Sequence, residues 1–310
     1  MNDSTAPAAK SPAVFRDYGQ AALDAQYDNR AKVPAFAEYL TRFRAASAAA
    51  RERFAGARLD VPVGRTPIEA VDIFPAAGPG PAPVLVFIHG GYWHLLDKAD
   101  FDFVANGFVP HGITTVVVNY GLIPAVDMTE LVRQCRQAVA WTIAHAASFG
   151  ADPARVAVAG HSAGGHLTAM IAATDWSTFT SPLQPRPVGS PPVAGCSLSG
   201  LHDLEPIRAS FLQRNLSLSA DDVTRYSPVR LLPPASGHWA ALVGGLEGPE
   251  YERQSRDLAL AWAQAPTGVS VVAEVLPGHD HFSIMMALND PDDPLTRRLA
   301  TELLGRDSCR

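Results

Sequence analysis

The chain is short of cysteine, of long apolar runs and of surplus charge. It has three cysteines in 310 residues, Cys135, Cys196 and Cys309. They are odd in number and far apart, and none forms a C-x-x-C pair. This excludes a disulfide framework and a zinc ribbon and makes a reducing cytoplasm the expected location. Cys135 and Cys196 read as core thiols and Cys309 as a thiol near a flexible C-terminus. No apolar run approaches the roughly 18 residues of a membrane span. Positions 1–14 are rich in Ala, Pro and Ser and lack the apolar stretch of a signal peptide, so they read as a disordered tail. A net charge of −6 argues against nucleic acid or an anionic membrane as partner. What is present is core: 47% of residues are hydrophobic and 18% charged, the balance of a soluble globular chain.

The apolar pattern is that of an α/β protein. Residues 15–56 are Ala-rich, and Pro34 opens a helical stretch with Phe36, Tyr39, Leu40 and Phe43 on one face. This segment is expected to lie as a helical arm on the main body. Strands are expected over 59–63 and 68–74, followed by a Pro/Gly loop over 75–83. Beyond it, strands over 84–89, 114–119, 155–160, 193–198, 239–244 and 269–276 alternate with helices over 97–110, 129–149, 163–173, 249–264 and 295–304. That alternation implies a mostly parallel sheet with helices on both faces, in a single domain over 15–310. A Pro-rich loop over 181–192 interrupts the rhythm, and a longer insertion over 201–235 falls where a lid would sit.

The chemistry concentrates in three places. Gly160-His161-Ser162-Ala163-Gly164 joins an apolar strand to a helix, which is the setting of a nucleophile elbow. There a serine is held in a strained backbone conformation so that its Oγ stands above the sheet edge, with glycines leaving room for close neighbours. His89-Gly90-Gly91-Tyr92-Trp93 directly follows the strand over 84–89. An acyl-transfer enzyme needs backbone N–H groups for an oxyanion, and Gly91 and Tyr92, with Ala163 after the serine, are placed to supply them. His89 is expected to hold the loop, and Tyr92 and Trp93 either to line a pocket for an aromatic group or to serve plain packing.

The base is expected after the last strand, since this kind of site orders its residues as Ser, acid, His. Gly278-His279-Asp280-His281-Phe282 offers two histidines that spacing does not separate. His161 and His166 flank the serine and are expected to be scaffold contacts turned away from the base, with His161 also placed beside the pocket. The acid belongs on the loop after the strand over 239–244, where Glu247 and Glu250 are available. Glu250 suits the first turn of the next helix, so Glu247 ranks first. Asp203 on the preceding loop is the fallback.

Together these motifs resemble the kynurenine formamidase (arylformamidase) branch of the α/β-hydrolases, close to the hormone-sensitive-lipase-like esterases. HGGYW at 89–93 is similar to that family's HGGxW signature, and GHSAGGHL at 160–167 to its elbow. LEGPEYERQS at 246–255 and DHF at 280–282 are similar to its acid and histidine segments. LDAQY at 23–27 and SGLHDLEPI at 199–207 also fit. By position, the resemblance implies Ser162 as nucleophile, Glu247 as acid and His281 as base, with the oxyanion loop at Gly91 and Tyr92. The family usually has Asp where this chain has Glu247. No metal or organic cofactor is implied.

The expected activity is hydrolysis of a small aryl formamide, with N-formylkynurenine as the type substrate. A carboxylesterase, or a hydrolase of another small aromatic amide or carbamate, would use the same residues. A hydrolase-fold binding protein without catalysis is the reading from another class, although all three triad positions hold usable side chains. The oligomeric state is left open, a homodimer included.

Overall fold

In a computed structural model, residues 12–181, 186–187 and 191–305 are described. Most of the expected tail, part of the loop over 181–192 and Cys309 lie outside them. The chain begins with three helices, α1 (Gln20–Tyr27), α2 (Asn29–Lys32) and α3 (Phe36–Arg53). The strands follow: β1 (Arg58–Pro62), β2 (Ala70–Phe74), β3 (Ala82–Ile88), β4 (Thr114–Val118), β5 (Ala151–His161), β6 (Ala194–Leu198), β7 (Ser236–Gly244) and β8 (Gly268–Leu276). They form one eight-stranded sheet in the order β1-β2-β4-β3-β5-β6-β7-β8. β2 is antiparallel to β1 and β4, and every later pairing is parallel.

Side chains of a strand alternate between faces, so an apolar strand inside a parallel sheet feeds two cores. On β3, Val84, Val86 and Ile88 enter one buried cluster, while Leu85 and Phe87 enter the other. The first cluster lies under α4 (Met128–His145), which brings Leu131, Cys135, Ala138 and Val139, and under α5 (Ala163–Ala172). Asp127 caps α4 by accepting the Glu130 N–H. The second cluster is closed by Phe43 of α3 and by Leu295 and Leu299 of the last helix (Pro294–Leu304). Arg51 of α3 meets the buried Asp102 at 2.5 Å, and Arg44 meets Asp100 at 2.9 Å, which fastens the arm to the body.

One expected helix is broken. Residues 97–110 form short turns, Lys98–Asp100, Asp102–Val104, Ala105–Phe108 and Val109–His111, ending at Gly112 with φ 73°. The apolar spacing is helical, but Lys98 is drawn onto Asp60 and Asp72 and Asp102 onto Arg51. Gly107 and Pro110 further weaken a continuous helix. The insertion over 201–235 folds as three short helices, Leu204–Ala209, Gln213–Leu216 and Ala220–Tyr226. A helix over Ser283–Ala287, absent from the sequence reading, follows His281.

Strand register sets the site. Ile88 pairs with Gly160, so the loop leaving β3 and the turn leaving β5 emerge side by side. Gly244 pairs with Leu276, which does the same for the loops carrying Glu247 and His281. All four open at the carboxyl ends of parallel strands, where ligands of open α/β sheets bind.

Candidate active site

Ser162 sits on the turn between β5 and α5 with φ 56° and ψ −117°, a conformation that costs a non-glycine residue about 1–3 kcal/mol. The chain holds it there by close packing. A Cβ on Gly160 would lie 2.3 Å from the Gly164 carbonyl oxygen, and one on Gly164 would lie 1.9 Å from that of Ile88. The Ser162 N–H is anchored to the Leu198 carbonyl at 2.8 Å.

The loop after β3 arches over this turn. Gly91, Tyr92 and Trp93 have φ of 117°, 49° and 59°. The N–H groups of His94 and Leu95 fold back onto the Gly91 carbonyl. Among the described residues, the N–H groups of Gly91, Tyr92 and Ala163 donate to no protein acceptor, so three donors are free to meet a developing oxyanion. His89 braces the loop: its ring meets the Gly90 carbonyl at 2.7 Å and stacks on Tyr120 at 4.3 Å.

For Trp93 the pocket reading is corrected and the packing alternative holds. It is fully buried in the core and donates its indole N–H to His166 Nδ1 at 3.1 Å, so it does not line the cavity. The left-handed turn that follows Gly91 directs Trp93 inward while Tyr92 stays at the cavity wall. His166 is the expected scaffold contact, its second nitrogen meeting the Tyr226 carbonyl at 2.7 Å.

Of the two histidines after β8, His281 meets a carboxylate: its Nδ1 lies 2.5 Å from Oε2 of Glu247. Oε1 of Glu247 accepts from the Gly244 N–H at 2.7 Å and from the Ser199 hydroxyl at 2.5 Å. Glu247 is 1% exposed and His281 5%. Glu250 is engaged elsewhere, with Arg253 and the Tyr27 hydroxyl, and Asp203 caps a helix and pairs with Arg253 and Arg230. Neither hydrogen-bonds His281. Lys32 of the arm donates to the Glu247 backbone carbonyl at 2.7 Å, and burial lowers its pKa to about 8.

His161 is the second correction. It does not turn away from His281: the two rings lie 4.5 Å apart. Burial first, and the neighbouring His281 second, push its pKa well below the usual value, so the ring is neutral.

These groups open into a cavity of about 450 Å³. Ser162, His281, His161, Gly91 and Tyr92 line its floor and one side. Phe36, Leu40, Phe43 and Arg30 come from the arm, and Phe211, Leu212 and Asn215 from the insertion. Two residues that the sequence reading did not single out lie beside these groups: Asn29 lines the cavity and Tyr251 packs behind it. Tyr251, at the start of the helix Pro249–Ala263, is fully buried, and its ring lies 5.0 Å from that of His281. Asn29 donates to the hydroxyls of Tyr251 and Tyr92 at 2.7 and 3.0 Å. Tyr251 and Asn29 carried no sequence signal beyond their segments, because a tyrosine in a helical turn ordinarily reads as packing. Among the described residues no cluster of His, Cys, Asp or Glu is arranged to hold a metal ion, and no helix is long and apolar enough to cross a membrane.

The sheet, its order and the position of this cavity define an α/β-hydrolase. The BD-FAE family pattern matches residues 71–186. Kynurenine formamidase of Salmo salar is 31% identical over 255 residues, covering 80% of this chain and 82% of its own. That of Danio rerio is 32% identical over the same shares. A solved structure from Silicibacter sp. TM1040, named for a proposed thioesterase activity, is 29% identical with a TM-score of 0.73, covering 89% of this chain and 97% of its own. The chain belongs to the kynurenine formamidase family and is a hydrolase.

Proposed function

We propose that the chain removes a formyl group from an aryl amide of the N-formylkynurenine type through Ser162, His281 and Glu247. The observation that carries the reading is the 2.5 Å contact of Glu247 Oε2 with His281 Nδ1, in a cavity that also exposes Ser162. Glu247 fixes the imidazole tautomer so that Nε2 carries the lone pair. Ser162 Oγ attacks the formyl carbon as Nε2 takes its proton. The N–H groups of Gly91, Tyr92 and Ala163 hold the oxyanion. His281 then protonates the departing arylamine, and water, activated by the same nitrogen, releases formate from the formyl-serine. The apolar walls from the arm (15–56) and the insertion (201–235), acting together as a lid on a single domain, receive the aryl group. The two buried free thiols, Cys135 and Cys196, support a reducing location, the cytoplasm. A small molecule is the partner, not nucleic acid or a membrane, and the assembly is a monomer or homodimer.

A second reading, a short-chain carboxylesterase or a hydrolase of another small aromatic amide or carbamate, is favoured by the cavity's size, since a formyl group occupies little of it. The kcat/KM for N-formylkynurenine compared with short-chain aryl esters separates the two. The first reading expects the formamide to be preferred, and a preference for the esters overturns it.

A further inference from the structure

Apart from the histidines, the charged residues among those described as lining the cavity are Asp28 and Arg30. Asp28 is committed: its Oδ1 caps α2 by accepting the Ala31 N–H at 3.0 Å. Arg30 is not. Among the described residues its guanidinium has neither a hydrogen bond nor an ion pair, and its one close partner is the Phe36 ring, over which it lies 4.8 Å from the centroid. Other arginines of the arm are fastened to the body, Arg44 to Asp100, Arg51 to Asp102 and Arg53 to Asn106. The backbone that carries Arg30 is fixed, because the preceding Asn29 is tied to the Tyr92 and Tyr251 hydroxyls. Arg30 is thus an exposed cation, held in place at the mouth of the cavity and resting on an aromatic face. A guanidinium held by its face keeps its in-plane N–H groups free for a two-pronged grip on a carboxylate.

From Arg30 an aromatic wall runs to His281. The Phe36 ring lies 5.0 Å from that of Phe282, and the Phe282 ring 5.4 Å from that of His281. An aryl group laid along this wall has one end towards Ser162 and the other towards Arg30. The surfaces beside it, from Leu40, Phe43, Phe211 and Leu212, are apolar. A carboxylate brought there loses water and needs a charged partner, which Arg30 supplies. A formyl group has no room for a further substituent, so the anion belongs to the leaving group. Among the described residues no second Lys or Arg lines the cavity, and Lys32 is turned to the carbonyls of Gln26 and Glu247. One guanidinium balances a single negative charge, which suits a carboxylate and leaves a phosphate dianion half-balanced.

Resting on the reading of Ser162 as nucleophile and of an aryl leaving group, we propose that Arg30 is a specificity-determining residue. It pairs with a carboxylate carried by the leaving group, so the preferred substrates bear one carboxylate on the aryl side. The contact is made alike in the bound substrate and in the transition state, and it therefore acts on KM far more than on kcat.

The test uses the full chain and two matched pairs of substrates. One is para-formamidophenylpropanoate with its uncharged propanamide, and the other is para-acetoxyphenylpropanoate with its propanamide. Within each pair the ratio of kcat/KM, carboxylate over amide, is read. The wild type is expected to favour the carboxylate by about 10- to 100-fold, mostly through KM. Arg30→Gln is expected to bring the ratio to within about twofold of unity, chiefly by raising KM for the carboxylate member. A wild type without the preference, or an Arg30→Gln chain that keeps it, overturns the proposal. If that variant melts early, the wild-type ratio in rising salt decides. Going from about 0.01 to about 1 M shortens the screening length from about 30 to about 3 Å and is expected to lower the ratio at this exposed cation. A ratio that salt leaves unmoved overturns the proposal. A wild type that cleaves only the ester pair removes the formyl assignment, and the ratio within that pair still tests Arg30. One inert to both pairs overturns the two readings together.

Discussion

Ser199 donates its hydroxyl to Oε1 of Glu247 at 2.5 Å, leaving Oε2 to face His281. One carboxylate is thus surrounded by three donors, with the Gly244 N–H as the third. A glutamine cannot replace it, because its NH₂ must point at either the Ser199 and Gly244 donors or the imidazole N–H. Glu247→Gln is expected to lower kcat by about 10³- to 10⁴-fold. Glu250→Gln is expected to leave kcat near wild type and to lower stability by about 1–3 kcal/mol, since that carboxylate serves Arg253 and Tyr27. Steady-state kinetics and urea melts on both variants check this, and equal losses of kcat would show that the acid is wrongly assigned.

Ser162→Ala is expected to reduce turnover by about 10⁶-fold with the fold retained. The turn is held by backbone contacts at Gly160, Gly164 and Leu198 that the side chain does not make. Single-turnover assays beside a far-ultraviolet spectrum check it, and residual activity near wild type refutes Ser162 as nucleophile.

Trp93→Ala is expected to act on stability. The ring is fully buried and its N–H is bound to His166, so its removal should cost about 3–5 kcal/mol in urea unfolding. A raised KM with unchanged stability would instead return Trp93 to the substrate pocket.

The protein is expected to lose stability as pH falls from about 6.5 towards 4. Burial lowers the pKa of His166 to about 4 and that of His202 to about 3, against 6.5 when unfolded. Between those values the unfolded chain binds protons that the folded chain refuses, so stability is full above 6.5 and drains away on acidification. Protonated His166 would also lose its capacity to accept from Trp93. Urea midpoints across this range test the sign; His166→Gln should flatten the slope, and a flat wild-type profile refutes it.

Much of the sheet was legible because β3 to β7 are short apolar runs between turn residues, and burial on both faces makes such runs continuous. The segment over 97–110 misled because its apolar spacing is helical while Lys98 and Asp102 answer to partners far away in sequence. In the candidate site, Ser162 and the His89–Trp93 loop announced themselves through glycines that the turns require. The contact of Glu247 with His281 depends on β7 and β8 being neighbours in register, which spacing alone left undecided against Glu250. The direction of Trp93 and of His161 depends on backbone rotations of single residues, which no periodicity records.

The edge position of β8 bears on how the molecule is made. His281 rides on the last strand to join the sheet, whereas Ser162 and its turn belong to the middle of the chain. During synthesis Ser162 emerges well before His281, so with the roles proposed for them the nascent sheet carries a nucleophile with no base. On that assignment a ribosome stalled anywhere before β8 holds a chemically silent chain, and hydrolysis begins only once β8 and the loop after it have been made.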